Sequence, residues 1–162
     1  MVDRIAALRV RLIKTVPAVR GRALPGASEV LRGLQGRAHQ SVLTGNIRPV
    51  AEVKLAAVGL RDGLDLCIGA YGDDHEVRAE LVPVARRRAA AVHGKSPAEF
   101  DGAATVVIGD TPLDIEAALA TGARAVGVAT GGYTASELAA AGAHAVLPDL
   151  TDTDAVLSAL LT

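Results

Sequence analysis

Aromatic residues are almost missing from this chain of 162 residues: Phe100, Tyr71 and Tyr133 are present, and tryptophan is absent. A core must therefore be packed from Val, Leu, Ile and Ala, and 32 residues are alanine, each with little surface to bury. Cysteine is scarcer still. Cys67 alone excludes a disulfide framework within the chain and any multi-cysteine zinc site. It fits a reducing compartment, so a cytoplasmic location is expected. No apolar run approaches the ~18 residues of a membrane span. Met1-Val2-Asp3-Arg4 leads into an Arg-rich amphipathic pattern, not the apolar segment of a secretion signal. No membrane contact is expected. The length suits one domain, and such a chain can bury roughly 70% of its unfolded surface.

Net charge is −1 overall but uneven along the chain. Residues 1–50 carry nine Lys or Arg against two acids, and residues 101–162 carry Arg124 against eight acids. A basic half can signal nucleic acid. Here the cations are dispersed, with no aromatic among them to stack a base, so they read as solvated helix faces and no nucleic-acid partner is expected. Arg86, Arg87 and Arg88 read the same way. The acids are more informative, because the aspartates cluster at turns.

The pattern alternates helix and strand. Ile5, Leu8, Leu12 and Val16 recur at three- and four-residue intervals, which predicts a helix over residues 2–16. Pro25-Gly26 opens a short helix with Ala27, Val30, Leu31 and Leu34 as its apolar face, closed by Gly36. Strands are predicted at residues 40–43, 66–68, 105–108, 125–129 and 145–147. Between them fall helices from Pro49 to Val58, Glu76 to Val92 (with Asp73-Asp74 as a cap and Pro83 as a kink), Leu113 to Ala120, Leu138 to Ala141 and Asp152 to Leu161. Short, fully apolar strands separated by helices imply an α/β fold, a Rossmann-like, mostly parallel sheet with helices on both faces.

Ligands of such sheets bind outside the carboxyl ends of the strands. Two strand ends carry polar residues. Thr44-Gly45-Asn46 offers a hydroxyl, a glycine that frees backbone amides and a following helix N-terminus, an arrangement suited to an oxyanion such as phosphate. It also reads as a plain strand-to-helix turn with Asn46 as the cap. Gly109-Asp110-Thr111-Pro112-Leu113-Asp114 brings two carboxylates to one sheet edge, where they repel unless a cation lies between them. Mg²⁺ suits that position, since it takes oxygen ligands, one or two of them carboxylates. The alternative is that Asp110 caps the helix and Asp114 complements its dipole.

The ordered set resembles the haloacid dehalogenase-like superfamily. Leu24-Pro25-Gly26-Ala27, then Val42-Leu43-Thr44-Gly45-Asn46, then Val107-Ile108-Gly109-Asp110-Thr111-Pro112-Leu113-Asp114 follow that family's order. Gly127-Val128-Ala129-Thr130-Gly131-Gly132-Tyr133-Thr134 and Glu137-Leu138-Ala139-Ala140-Ala141-Gly142-Ala143 resemble its phosphoglycolate-phosphatase-like branch. The resemblance implies a Mg²⁺-dependent phosphoric monoester hydrolase acting on a small phosphorylated metabolite. Thr44 would hold the transferred phosphoryl group, Gly45 and Asn46 would contact it, and Asp110 and Asp114 would serve the metal. The family also uses a cation ahead of the Asp110 strand, commonly a lysine before proline. That pair is absent, so Arg78 is the first candidate and Lys54 the second.

The larger departure is at the amino terminus. The family's nucleophile is the first aspartate of an Asp-x-Asp pattern closing its first strand. Asp3 is the sole acid before Leu24. Asp152-Thr153-Asp154 has the spacing, but it precedes a helix and reads as a cap. The resemblance then implies residues 1–20 as a helical remnant of the cap segment and 21–162 as the core domain, a truncated copy lacking the central first strand. Without that strand its neighbours lose a hydrogen-bond ladder, and each unpaired buried amide costs on the order of 1–3 kcal/mol. An intact sheet would call for a second copy or a strand-donating partner. Two readings result: a phosphatase of this superfamily, or a non-catalytic phosphate- and metal-binding remnant or subunit.

Overall fold

The computed structural model describes the backbone of Ile5–Leu8 and all of residues 22–162. Five parallel strands form one sheet: β1 (Ile5–Leu8), β2 (His39–Ser41), β3 (Thr105–Gly109), β4 (Arg124–Val128) and β5 (Ala145–Leu147), in the order β2-β1-β3-β4-β5. Among the described residues six α-helices accompany them: α1 (Ala27–Leu34), α2 (Arg48–Ala57), α3 (Arg78–His93), α4 (Pro112–Ala120), α5 (Ala135–Ala140) and α6 (Thr153–Leu161). The α/β class with a parallel sheet stands as expected. No helix among the described residues is long and apolar enough to cross a membrane.

The amino-terminal expectation is corrected at Ile5–Leu8; the rest of the helix predicted over residues 2–16, and of the cap remnant at 1–20, lies outside the described residues. Ile5–Leu8 is a strand, not part of a helix, and it occupies the central position that the sequence seemed to lack. Ile5 to Ala7 pair with His39 to Ser41 on one side, and Ile5 to Leu8 pair with Thr105 to Ile108 on the other. The local sequence favours helix, because Ala-Ala between Ile and Leu has high helix propensity and the right spacing. Two flanking strands, each offering a ladder of backbone partners, override that preference. The sheet therefore needs no strand from a partner at this position.

The strand predicted at residues 66–68 is likewise corrected. Those residues form a turn, and the extended pairing falls instead at Ala70, bridged to Leu43. Asp65 is the physical reason: its side chain accepts from Cys67 N at 2.9 Å, a local bond that draws the chain into a turn. The third helix starts at Arg78, two residues later than predicted, because Asp73 and Asp74 cap nothing there. Asp73 accepts from Arg48 N and Asp74 from Tyr71 N.

β3 shows how the sheet separates two cores. Val106 and Ile108 join a cluster with Val30, Leu31 and Leu34 of α1 and Val156 and Leu160 of α6. Val107 points the other way, to Leu81, Val82 and Ala85 of α3 and Ile115 and Ala118 of α4. All five β3 residues are buried, as a strand covered on both faces requires.

The arginine run is no solvated face. Arg86 is 7% exposed, and its guanidinium donates to Thr105 Oγ1 at 3.0 Å and Thr121 O at 2.9 Å, with Gly102 O at 3.4 Å. Arg88 is also bonded to protein; Arg87 alone of the three is exposed. The helix places two of them on its inner side, where backbone carbonyls at chain reversals need donors.

Gly26 precedes α1 with φ 86°, and a Cβ there would overlap the Leu150 carbonyl. The position excludes side chains on both counts. Gly26→Ala is expected to cost about 2–3 kcal/mol or more, read as a lower urea midpoint with an unchanged denaturant slope.

Candidate functional site

The carboxyl ends of β2 and β3 and the amino ends of α2, α3 and α4 meet at one edge of the sheet. Past β2, the chain stays extended through Leu43 and turns at Thr44-Gly45-Asn46. Thr44 is 8% exposed, and its Oγ1 accepts two hydrogen bonds, from Asn46 N at 3.2 Å and Asn46 Nδ2 at 2.9 Å. Both lone pairs are thereby engaged, and the hydroxyl proton is left to donate. Asn46 Oδ1 accepts from Lys54 Nζ at 3.0 Å. Asn46 is not the helix cap; that place belongs to Ile47, whose side chain makes no capping bond. Lys54 thus reaches the turn through Asn46.

At the second strand end the cap is not the residue expected. Asp110 follows β3 and is 6% exposed, but Thr111 is the N-cap of α4. Asp114, fully buried at 0% exposure, lies against Gly109, where a Cβ would overlap its own Cβ. Its Oδ2 accepts from Thr111 Oγ1 at 2.7 Å and Thr111 N at 3.2 Å. Its Oδ1 accepts from Arg78 at 2.7 Å. A buried carboxylate so bonded is compensated rather than isolated.

Arg78 joins the two strand ends. One terminal nitrogen holds Asp114, and the other lies 3.9 Å from where a Cβ of Gly45 would stand. Thr44, Gly45, Asn46, Lys54, Arg78 and Asp114 therefore lie along one chain of contacts, with Asp110 at the end of β3. Among the described residues no group of three or more His, Cys, Asp or Glu could hold a metal ion by itself. After Leu8 the sequence continues Arg9-Val10-Arg11, and no acid occurs between Asp3 and Glu29.

A supporting layer went unread in the sequence. Arg88 binds both carboxylate oxygens of Asp74 at 2.6 Å and Gly69 O at 2.6 Å. These bonds hold the Asp74 carboxyl below its ordinary value. Burial pushes the Tyr71 hydroxyl up to about 12, so it stays protonated and donates to Leu66 O at 2.7 Å. The Arg48 guanidinium lies 5.6 Å above the Tyr71 ring. Acid next to aromatic in Tyr71-Gly72-Asp73-Asp74 was the available signal, but its partner is many residues away.

Residues 77–153 match a family model described as haloacid dehalogenase (HAD)-hydrolase-like. The chain is 29% identical over 150 residues to "Probable phosphatase IndB" of Dickeya dadantii (strain 3937), covering 91% of this chain and 61% of that protein. Among solved structures it resembles a hydrolase from Pseudomonas syringae (28% identity, TM-score 0.68), with 86% of this chain and 61% of that chain covered. It also resembles a HAD family hydrolase from Deinococcus radiodurans R1 determined with bound phosphate and sodium, at 26% identity and TM-score 0.61, again covering 86% and 61%. The fold and the ordered motifs thus resemble those of the haloacid dehalogenase-like hydrolases and phosphatases. The chain spans about three-fifths of the length of these relatives.

The Asp74–Arg88 pair gives the fold a pH dependence of known sign. The folded-state value of Asp74 lies below its ordinary 3.8, so its contribution is present above that value and lost as pH falls through the lowered one. Asp74→Asn should flatten the acid side of the melting-temperature profile between ~pH 5 and ~pH 2 relative to the unsubstituted protein. Equal slopes would remove Asp74 from the acid response.

Proposed function

We propose that this chain is the phosphate-binding core of a Mg²⁺-dependent phosphoric monoester hydrolase that acts on a small phosphorylated metabolite. The observation that carries the reading is the reach of Arg78 from Asp114 to the edge of Gly45, beside a threonine hydroxyl with a proton to donate. A phosphoryl oxygen accepts from hydroxyl, backbone amide and guanidinium alike. Thr44 and the Gly45 turn would hold the phosphoryl group, Arg78 would offset its charge, and Lys54 would act through Asn46.

Asp110 fits a metal shared with the substrate. Mg²⁺ is commonly bound by one or two carboxylates, with water and phosphate oxygens completing its shell. A buried aspartate beside a phosphate cradle supplies such a ligand, and Asp114, committed to Arg78 and Thr111, would orient its neighbours. The metal would act as a Lewis acid on the phosphoryl oxygens.

A second reading is favoured by one sequence fact, the lack of any acid between Asp3 and Glu29. No carboxylate follows the central strand to form an aspartyl-phosphate, so binding without turnover is the alternative.

Release of p-nitrophenol from its phosphate ester, with Mg²⁺ and with chelator, separates the two. Metal-dependent turnover lost in Asp110→Asn supports the hydrolase; none, with inorganic phosphate still bound by calorimetry, supports the binding subunit. Under both readings Arg78→Met should weaken phosphate binding about 10- to 100-fold, the worth of one charge-assisted hydrogen bond. Unchanged affinity in that variant would remove the site from this edge of the sheet.

A further inference from the structure

The turn that carries Thr44, Gly45 and Asn46 is held by a neighbouring segment, residues 69–74. Ala70 N donates to Val42 O at 3.0 Å, Thr44 N to Ala70 O at 3.0 Å and Gly72 N to Asn46 O at 2.9 Å. Gly72 presses so closely that a Cβ there would overlap the Gly45 carbonyl oxygen. A displacement of this segment must therefore displace the turn.

Apart from the single bridge at Ala70, the segment has no regular ladder of its own. Arg88 supplies the missing restraint. Its guanidinium takes Gly69 O at one end of the segment and both oxygens of Asp74 at the other, each at 2.6 Å. Asp74 Oδ2 in turn accepts from Tyr71 N, and Asp74 N donates to Tyr71 O, both at 2.9 Å. One planar fork thus ties both ends of an arc whose middle forms the back wall of the Thr44 turn. A lysine ammonium has no such fork and cannot reproduce the bidentate grip.

We propose that Arg88 is a positioning residue of the phosphate site, fixing the backbone of Thr44, Gly45 and Asn46 through segment 69–74 without touching the ligand. The inference rests on the phosphate reading above. A matched control lies two residues away: Arg86 is equally bonded but serves Thr105 and Thr121, at the opposite edge of the sheet. If arginine on this helix were merely structural, the two would be interchangeable in effect.

The test compares Arg88→Lys and Arg86→Lys in the full chain, with Arg88→Met as the stronger change. The probes are inorganic phosphate, titrated by calorimetry, and the amide ¹H–¹⁵N signals of residues 44–46. Arg88→Lys is expected to weaken phosphate binding about tenfold or more, within the range that small misplacements of a binding group cause, and to shift those amides in the free protein. Arg86→Lys is expected to lower the melting temperature and leave both readouts unchanged. Equal phosphate affinities in the two lysine variants, or unmoved amides in Arg88→Lys, would overturn the proposal. If the unsubstituted protein binds no phosphate, the functional reading falls, and amide exchange at residues 44–46 still decides the positional claim. Faster exchange in Arg88→Lys alone supports it; the same rate in both variants overturns it. Should Arg88→Met not fold, the lysine pair carries the comparison.

Discussion

The ladder that Ile5–Leu8 makes on both sides governs the geometry of everything at the edge above it. Neighbouring strands lie about 4.8 Å apart, so one intervening strand sets the ends of β2 and β3 roughly 10 Å from each other. That separation sets the distance between the Thr44 turn and Asp110. If β2 and β3 paired directly, the two ends would draw together and Arg78 would have no such distance to span. If they parted, Asp114 and Gly45 would lie beyond the reach of one guanidinium. The central strand is thus a spacer as well as a source of hydrogen bonds, and it can be a spacer with any apolar side chains.

At this edge of the sheet, charge decides the arrangement. A carboxylate with no exposed surface, Asp114, persists because Arg78 and Thr111 satisfy its two oxygens. Only glycine at 109 lets that carboxylate approach the strand end. Pairing with a cation that also faces Gly45 means that the acid-rich carboxy-terminal third and the middle of the chain are joined at this edge. The lopsided charge of the sequence is partly explained by this: Asp110 and Asp114 from the last third are placed at the carboxyl end of β3, and the cation that meets Asp114 comes from α3.

Most of the sheet was legible because β3, β4 and β5 are short apolar runs ended by glycine or polar turns, where periodicity and punctuation agree. The Arg78–Asp114 contact was half legible: each residue could be named, but their pairing spans 36 positions and belongs to the tertiary fold. Ile5–Leu8 was misread because local propensity and spacing favoured helix, and only the vacancy between two buried strands argues otherwise. Residues 66–68 failed for the opposite reason. Their apolar character is real, with Ile68 buried, but Asp65 turns the backbone before a ladder can form. Arg86 and Arg88 were unreadable as buried groups, since nothing in three consecutive arginines marks which will meet carbonyls.

Binding a phosphate and cleaving its ester make different demands on this edge. Binding needs donors and positive charge, which on the proposed reading Thr44, the Gly45 turn and Arg78 would supply. Covalent cleavage needs in addition a carboxylate that can approach phosphorus from the central strand. The sequence directly after Leu8 is Arg9-Val10-Arg11, and no acid follows before Glu29. On the proposed reading, holding the anion and cleaving its ester are therefore separate demands, and the described residues at this edge would serve the first.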